Sequence, residues 1–180
     1  MLNFILKEVK DYKINCIGNE YCIGIDIFDA FEYLRKMKNL DGENMIYCNN
    51  CKCMTSGSRQ EMIYSLPPVL IIVLNRGKNA QDFNEQFDFP EVLNFIETNF
   101  VIFEGSYKKY YLCGLISCIG GSSSNVHYIS YSRNSIDSKF IMYNDTIVSE
   151  NIEIKEAMKC TISDNDNEKV IPYILFYRHF

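Results

Sequence analysis

Val69–Leu74, VLIIVL, constrains the fold of this chain more than any other stretch. The run is continuous and aliphatic; Pro67–Pro68 precede it and Asn75–Arg76–Gly77 follow. A bilayer-spanning helix needs about 20 apolar residues, so this run does not cross a membrane. Between turn formers it reads as a strand, and a strand apolar at every position is expected to be buried on both faces. It therefore needs partners. Tyr107–Ile119, His127–Tyr131, Phe140–Val148 and the closing segment PYILFYR all read as strands that could flank it. Cys48–Arg59 reads as a polar knuckle between two further strands. The 13 Tyr and 12 Phe suit such a sheet.

Helical signals are fewer. Phe28, Phe31, Leu34 and Met37 or Leu40 recur at helical spacing in FDAFEYLRKMKNL, with Asp26 or Asp29 as the cap. Arg35, Lys36 and Lys38 favour the C-terminal side of its dipole, and Asp41–Gly42 is expected to end it. NIEIKEAMK reads as a short helix. LNFILKEV and YKINCIG, at the start, read as two short strands, with a turn at Gly18–Asn19. FDFPEVLNFIE reads as a short strand, a break at Pro90, then a turn or helix start. Residues 78–86 and SDNDNEK read as loops. No repeat and no linker divides the 180 residues, which are enough to bury one core. The expectation is one α+β domain, mainly antiparallel sheet with few helices.

Charge narrows the partners. The net charge is −5, with 18 Lys and Arg scattered among 23 Asp and Glu, which argues against a nucleic-acid surface. MLNFILKEVKDYK lacks the layout of a secretion signal, and no stretch suits a membrane. A reducing compartment is expected, intracellular and cytoplasmic and/or nuclear, with its eight cysteines free or metal-bound. Cys48-x-x-Cys51-x-Cys53 has metal or redox spacing. A tetrahedral zinc needs a second pair, and Cys16 with Cys22 is the earlier candidate, though spaced more widely than usual. A structural zinc on Cys48 and Cys51 and a degenerate knuckle without metal both remain open.

One pair of segments carries chemistry. GLISCIGGSSSNVHYISY places His127 after a glycine/serine loop and at the head of an alternating run. FIMYNDTIV brings Asn144 17 positions later, with Asp145 next to it. Two strands with a turn between them would set an imidazole beside an amide and a carboxylate. Strand alternation sends neighbours to opposite faces, so Asn144 and Asp145 can both face His127 only if the backbone bends there. By themselves, the same residues also suit an ordinary loop-edge histidine and a turn.

Taken in order, ENMIYCNNC, LPPVLIIVLNRG, YYLCGLISCIGG, VHYISYSR, MYNDTIV and PYILFYR resemble the C-terminal half of the ubiquitin-specific proteases, papain-like cysteine deubiquitinases. The resemblance runs over about residues 25–178. It implies a partial papain-like domain made of the fingers and the histidine-bearing palm. It implies thiol-dependent cleavage of the isopeptide bond after ubiquitin's C-terminal glycine, with ubiquitin or a ubiquitinated protein as partner and no cofactor for catalysis. His127 would be the base and Asn144 the residue orienting it, with Asp145 in support. Gly120 and Gly121 would line the channel for ubiquitin's tail, and Tyr128 would cover it. No cysteine stands in the family's nucleophile box, so the chain is expected to be inactive alone. Val126 replaces the family's glycine before the histidine, Cys118 replaces a histidine on the preceding strand, and Phe140 stands where the family often has Trp. The alternative reading is an inactive ubiquitin-binding or scaffold domain. A third is a small zinc-binding module.

Overall fold

The computed structural model describes residues 1–18, 24–78, 85–96, 100–101, 109–119, 127–135, 137–158 and 170–179. Gly120, Gly121, Val126, Cys22, the SDNDNEK segment and most of 78–86 lie outside the described residues.

The chain opens with β1 (Leu2–Ile5) and turns directly into α1 (Leu6–Ile17). The extended reading of LNFILKEV holds for Leu2–Ile5, and the helix corrects it for the rest of that segment and for YKINCIG. The spacing that decides is Leu6 to Val9, one helical step apart and both fully buried. Lys10 and Lys13, from the same helix, reach Glu85 at 2.6 Å and Asp29 at 2.7 Å. Gly18, at φ 67°, ends the helix in the left-handed conformation and donates to the Ile14 carbonyl.

After β2 (Ile25–Asp26) comes α2 (Ile27–Arg35). Both cap candidates act together. The Asp26 carboxylate accepts from the backbone N–H of Phe28 and Asp29, and Asp29 accepts from the Asp26 N–H at 2.8 Å. The helix stops earlier than its apolar spacing suggested. Lys36 leaves helical geometry, and β3 (Lys38–Leu40) pairs instead with β6 (Gly57–Arg59). Met37 and Leu40 are therefore not on the helix; a tertiary pairing overrode a local pattern. A single 3-10 turn at Gly42–Asn44 leads to the hairpin of β4 (Ile46–Cys48) and β5 (Cys53–Thr55).

Among the described residues the main sheet has eight strands. β7 (Val69–Asn75), β8 (Phe87–Asp88), β9 (Val92–Asn94), β10 (Lys109–Ile119), β11 (His127–Arg133), β12 (Phe140–Asn144), β13 (Ile147–Ile152) and β14 (Val170–Arg178) follow in sequence, with α3 (Ile154–Met158) before the last. The apolar turn or helix start expected after Pro90 is the strand β9. The sheet's order is β1-β7-β14-β10-β11-β12-β13, with β9 on β10, while β8 pairs with β2 outside it. Among the described strands of this sheet, β1 and β7 run parallel and the other pairs antiparallel.

β7 is not buried on both faces. Leu70, Ile72 and Leu74 are fully buried, whereas Val69, Ile71 and Val73 are partly or largely exposed. The described helices cover one face alone: Leu6, Val9, Ile27, Ala30 and Phe31 join the core with Leu70, Ile72, Leu74, Leu112, Leu115 and Leu175. Phe31 is its aromatic hub, with ring centres 5.7 Å from Phe4, 5.4 Å from Phe95 and 5.3 Å from Phe100. The Tyr177 hydroxyl donates to the Pro90 carbonyl at 2.6 Å, and burial holds its pKa far above the usual phenol value. No described helix is long and apolar enough to cross a membrane.

Candidate active site: a histidine held by an asparagine

Three antiparallel strands meet at one end of the sheet. Ile119, the last residue of β10, pairs with His127, the first of β11, and with Val170, the first of β14. β11 pairs in turn with β12, whose last residue is Asn144. The ladders thus carry His127 and Asn144 to neighbouring strand ends from positions far apart in sequence.

Nε2 of His127 lies 2.6 Å from Oδ1 of Asn144. An amide oxygen can only accept, so Nε2 carries the proton and donates. This fixes the tautomer and leaves the Nδ1 lone pair available for a proton. Chemically, such a contact can hold the ring in one orientation, and a half-exposed imidazole with a free Nδ1 can take up a proton.

Asp145 joins the pair because the backbone bends. Asn144 pairs with Ile147, leaving Asp145 and Thr146 as a two-residue turn, with Asp145 at φ 51°. Aspartate tolerates this left-handed geometry better than most residues. Its Oδ2 comes to 3.8 Å from the same Nε2. The side chain is 78% exposed, so solvent screens the interaction. The bend that the sequence made a condition is present.

Tyr128 is not brought to this pair. It sits opposite Cys118 in the β10–β11 ladder, one residue out of phase with His127, and so faces the other side of the sheet. Its ring packs edge-on against Tyr173, centres 5.8 Å apart. Cys118 is buried on that side and donates its thiol proton to the Ile171 carbonyl. Phe140 is fully buried in the main core. Among the described residues, no thiol is hydrogen-bonded to His127.

Arg76 is the residue that sequence reasoning undervalued, reading it only as the end of a strand. It is fully buried, its Nε donating to the Pro172 carbonyl at 2.8 Å and its Nη1 to the Glu85 carbonyl at 2.5 Å. It ties the end of β7 to the start of β14, the strand whose first residue shares Ile119 with His127. A charged residue closing an aliphatic run was the available signal.

The cysteine knuckle lies elsewhere, on the β4–β5 hairpin. Asn49–Lys52 form its loop, with Lys52 at φ 58° donating to the Cys48 carbonyl at 2.8 Å. Backbone N–H groups of Cys51 and Asn50 point at the Cys48 sulfur, the former at 3.4 Å, and hold that thiol below the usual range. Two adjacent thiols fit half of a tetrahedral zinc set. Among the described residues, no group of three or more potential ligands is close enough to hold a metal, so they do not complete one. Cys16, the expected earlier ligand, is exposed near the end of α1.

These features can be set against known proteins. The chain is 28% identical over 178 residues to "Ubiquitin carboxyl-terminal hydrolase 9" of Saccharomyces cerevisiae, covering 93% of this chain and 22% of that protein. It is 26% identical over 160 residues to human "Ubiquitin carboxyl-terminal hydrolase 15", covering 86% of this chain and 15% of that one. Among solved structures, a chain of the SAGA Ubp8/Sgf11/Sus1/Sgf73 DUB module shares the α+β fold, with a TM-score of 0.62 at 24% identity over 86% of this chain and 35% of that one. The chain therefore spans under a quarter of the length of either of these curated relatives. The ubiquitin carboxyl-terminal hydrolase model matches residues 36–177, through the knuckle, the long strands and the histidine–asparagine pair in one order. That match takes in well over half of the sequence, and this chain belongs to the ubiquitin carboxyl-terminal hydrolase family.

Proposed function

We propose that this chain supplies the histidine base and the orienting asparagine of a cysteine-type deubiquitinase. The observation that carries the reading is the 2.6 Å contact from His127 Nε2 to Asn144 Oδ1, which leaves Nδ1 as the basic atom. Nδ1 takes the proton of a cysteine thiol, and the thiolate attacks the carbonyl of ubiquitin's C-terminal glycine. The C–N bond breaks, and the departing lysine amine takes the proton back from Nδ1. Water then gives a proton to Nδ1 and its oxygen to the thioester; the C–S bond breaks and the thiol is restored. Asn144 holds the ring through each transfer. Asp145, 3.8 Å from Nε2, stands beside the pair in a supporting place.

Ubiquitin or a ubiquitinated protein is the partner this chemistry requires. Gly120 and Gly121, in the loop segment that precedes His127 in the sequence, are assigned to ubiquitin's tail from the sequence. The assignment of Tyr128 to the same tail rests on the sequence alone, and its side chain faces the other side of the sheet from His127. The thiol comes from outside the described residues.

The test is turnover of a ubiquitin–fluorophore conjugate. One sample is the 180-residue chain, and the other is a fusion placing the remaining catalytic domain of the yeast relative before it. The expected result is background from the chain alone, with turnover by the fusion that disappears in His127→Ala. Turnover by the chain alone that depends on His127 would remove the need for an outside thiol. A folded fusion that binds ubiquitin without cutting it would select the second reading, an inactive ubiquitin-binding domain. That reading draws on the lack of a thiol beside His127 among the described residues.

A further inference from the structure

An aliphatic side chain stands on the outer flank of the His127–Asn144 pair. Asn144 closes the β12–β13 turn directly opposite Ile147, the first residue of β13. Residues directly opposite in an antiparallel ladder share a face, with Cβ atoms about 4.5–5.5 Å apart. The wider register agrees. Tyr131 pairs with Met142, and Met142 with Ser149. Steps of two along each strand carry that face to His127, Asn144 and Ile147. Imidazole, amide and aliphatic chain thus stand in one row across β11, β12 and β13.

β13 is last in the sheet order and, among the described residues, pairs with β12 alone. Solvent therefore reaches the row from the side of Ile147, which is 61% exposed. An isoleucine so exposed contributes little burial to the core. A β-branched residue suits any strand, so branching alone does not explain it. Val148 supplies the comparison. It is 54% exposed on the same edge, but it lies opposite Tyr143 and so faces the other side of the sheet. What distinguishes Ile147 is the residue it stands against.

We propose that Ile147 is a positioning residue for the histidine: its side chain covers the outer flank of Asn144 and keeps water from competing for the His127–Asn144 hydrogen bond. The inference rests on the reading of that pair as base and orienter. The Nε2 proton has two rival acceptors, water and the Asp145 carboxylate 3.8 Å away. Either would let the ring turn or change tautomer. A flank of methyl groups offers no donor or acceptor, and it lowers the local dielectric around the 2.6 Å contact, which strengthens it. Isoleucine is also stiff at χ1, so it holds this position at little entropic cost. A polar side chain of similar shape would lead water to the amide instead.

Nitrogen-15 NMR of the imidazole tests this in the 180-residue chain without any turnover. It is read above the ordinary histidine pKa of about 6.5, where the ring is neutral. The spectrum reports the tautomer and the exchange of the Nε2 proton with water, and His179→Gln assigns the two histidines. Wild type should show the Nε2–H tautomer. Ile147→Thr, which keeps the branch but adds a hydroxyl, should mix the tautomers and speed exchange about two- to tenfold, the effect of one weakened hydrogen bond. Ile147→Val should restore wild-type behaviour, and Val148→Thr should never depart from it. The paired threonine variants carry the same edge burden, so a general loosening of β13 would move both alike and overturn the proposal. So would an Ile147→Thr spectrum identical to wild type. In the fusion, Ile147→Thr should lower kcat by a similar factor with KM little changed. A raised KM at unchanged kcat would make Ile147 a substrate contact and sink the positioning role. An inactive fusion whose NMR signature still responds to Ile147→Thr alone would refute the deubiquitinase reading while supporting the shielded pair. An active fusion with an unresponsive signature would do the reverse.

Discussion

The sheet end that holds His127 and the hairpin that holds Cys48 solve the same problem in opposite ways. Each must fix two polar side chains against one another at the protein surface. The sheet does it with long-range registers: β11 is aligned by β10 on one side and β12 on the other, and Arg76 pins the strand beyond. The hairpin does it with bonds spanning three or four residues. The first arrangement draws on the folding free energy of the whole core. The second draws on almost none of it, because the exposed hairpin packs little and a two-stranded unit is marginal by itself. A site of the first kind is ready without its ligand, whereas one of the second kind gains most from a metal or partner.

The sharpest way to break this comparison is to separate chemistry from stability at the sheet end. In the active fusion, His127→Ala should lower kcat/KM by about 10³-fold or more, since a general acid–base group is lost from both steps. Asn144→Ala should cost about 10²-fold, through loss of tautomer and orientation. Neither should move the urea midpoint of the 180-residue chain appreciably, because both side chains sit at a partly exposed strand end. A large fall in midpoint with either variant would mean that the pair holds the sheet rather than the reverse.

Next in size is the core. Phe31→Ala removes the ring that Phe4, Phe95 and Phe100 share, and should cost about 3–5 kcal/mol in urea unfolding. Tyr47→Ala on the hairpin should stay within about 0.5 kcal/mol in metal-free protein. Comparable values at the two sites would abolish the contrast. Arg76→Met comes third, at about 2–3 kcal/mol, because it strands the buried Pro172 carbonyl and the part-buried Glu85 carbonyl. Its effect should appear in the fusion's kcat more than in its KM, since the start of β14 sets Ile119 and hence His127.

How legible these regions were follows the same division. The strands with strong alternation or aliphatic runs were readable, as were the capping carboxylates of α2 and the proximity of His127 to Asn144 and Asp145. Each rests on a local pattern or on spacing between two short motifs. The misreadings came where tertiary structure decided. LKEVKDYKINCI contains enough β-branched and aromatic residues to look extended, yet Leu6 and Val9 find a core one helical step apart. Lys38–Leu40 continued a helical rhythm but paired with Gly57–Arg59. Tyr128 could be assigned by neighbourhood to the histidine, but only the register shows that it faces away. Arg76 looked like punctuation because nothing local tells a buried arginine from a solvated one.

The smallest expected effect tests the hairpin from within, in chelator-treated protein. The N–H groups of Cys51 and Asn50 lower the Cys48 pKa, whereas burial, as the leading cause, raises that of Cys113. A lowered pKa means that thiolate persists as pH falls, so Cys48 should be alkylated by iodoacetamide several-fold faster than Cys113 near neutral pH. Access contributes as well, since Cys113 is only partly exposed. The part due to ionisation should shrink as pH rises past the ordinary thiol value, where both groups ionise, and the part due to access should not. Mass spectrometry of peptides quenched across a pH series separates the two. A Cys48-to-Cys113 ratio flat with pH would leave exposure as the whole cause. It would remove the preset thiolate that distinguishes a locally built site from an ordinary exposed cysteine.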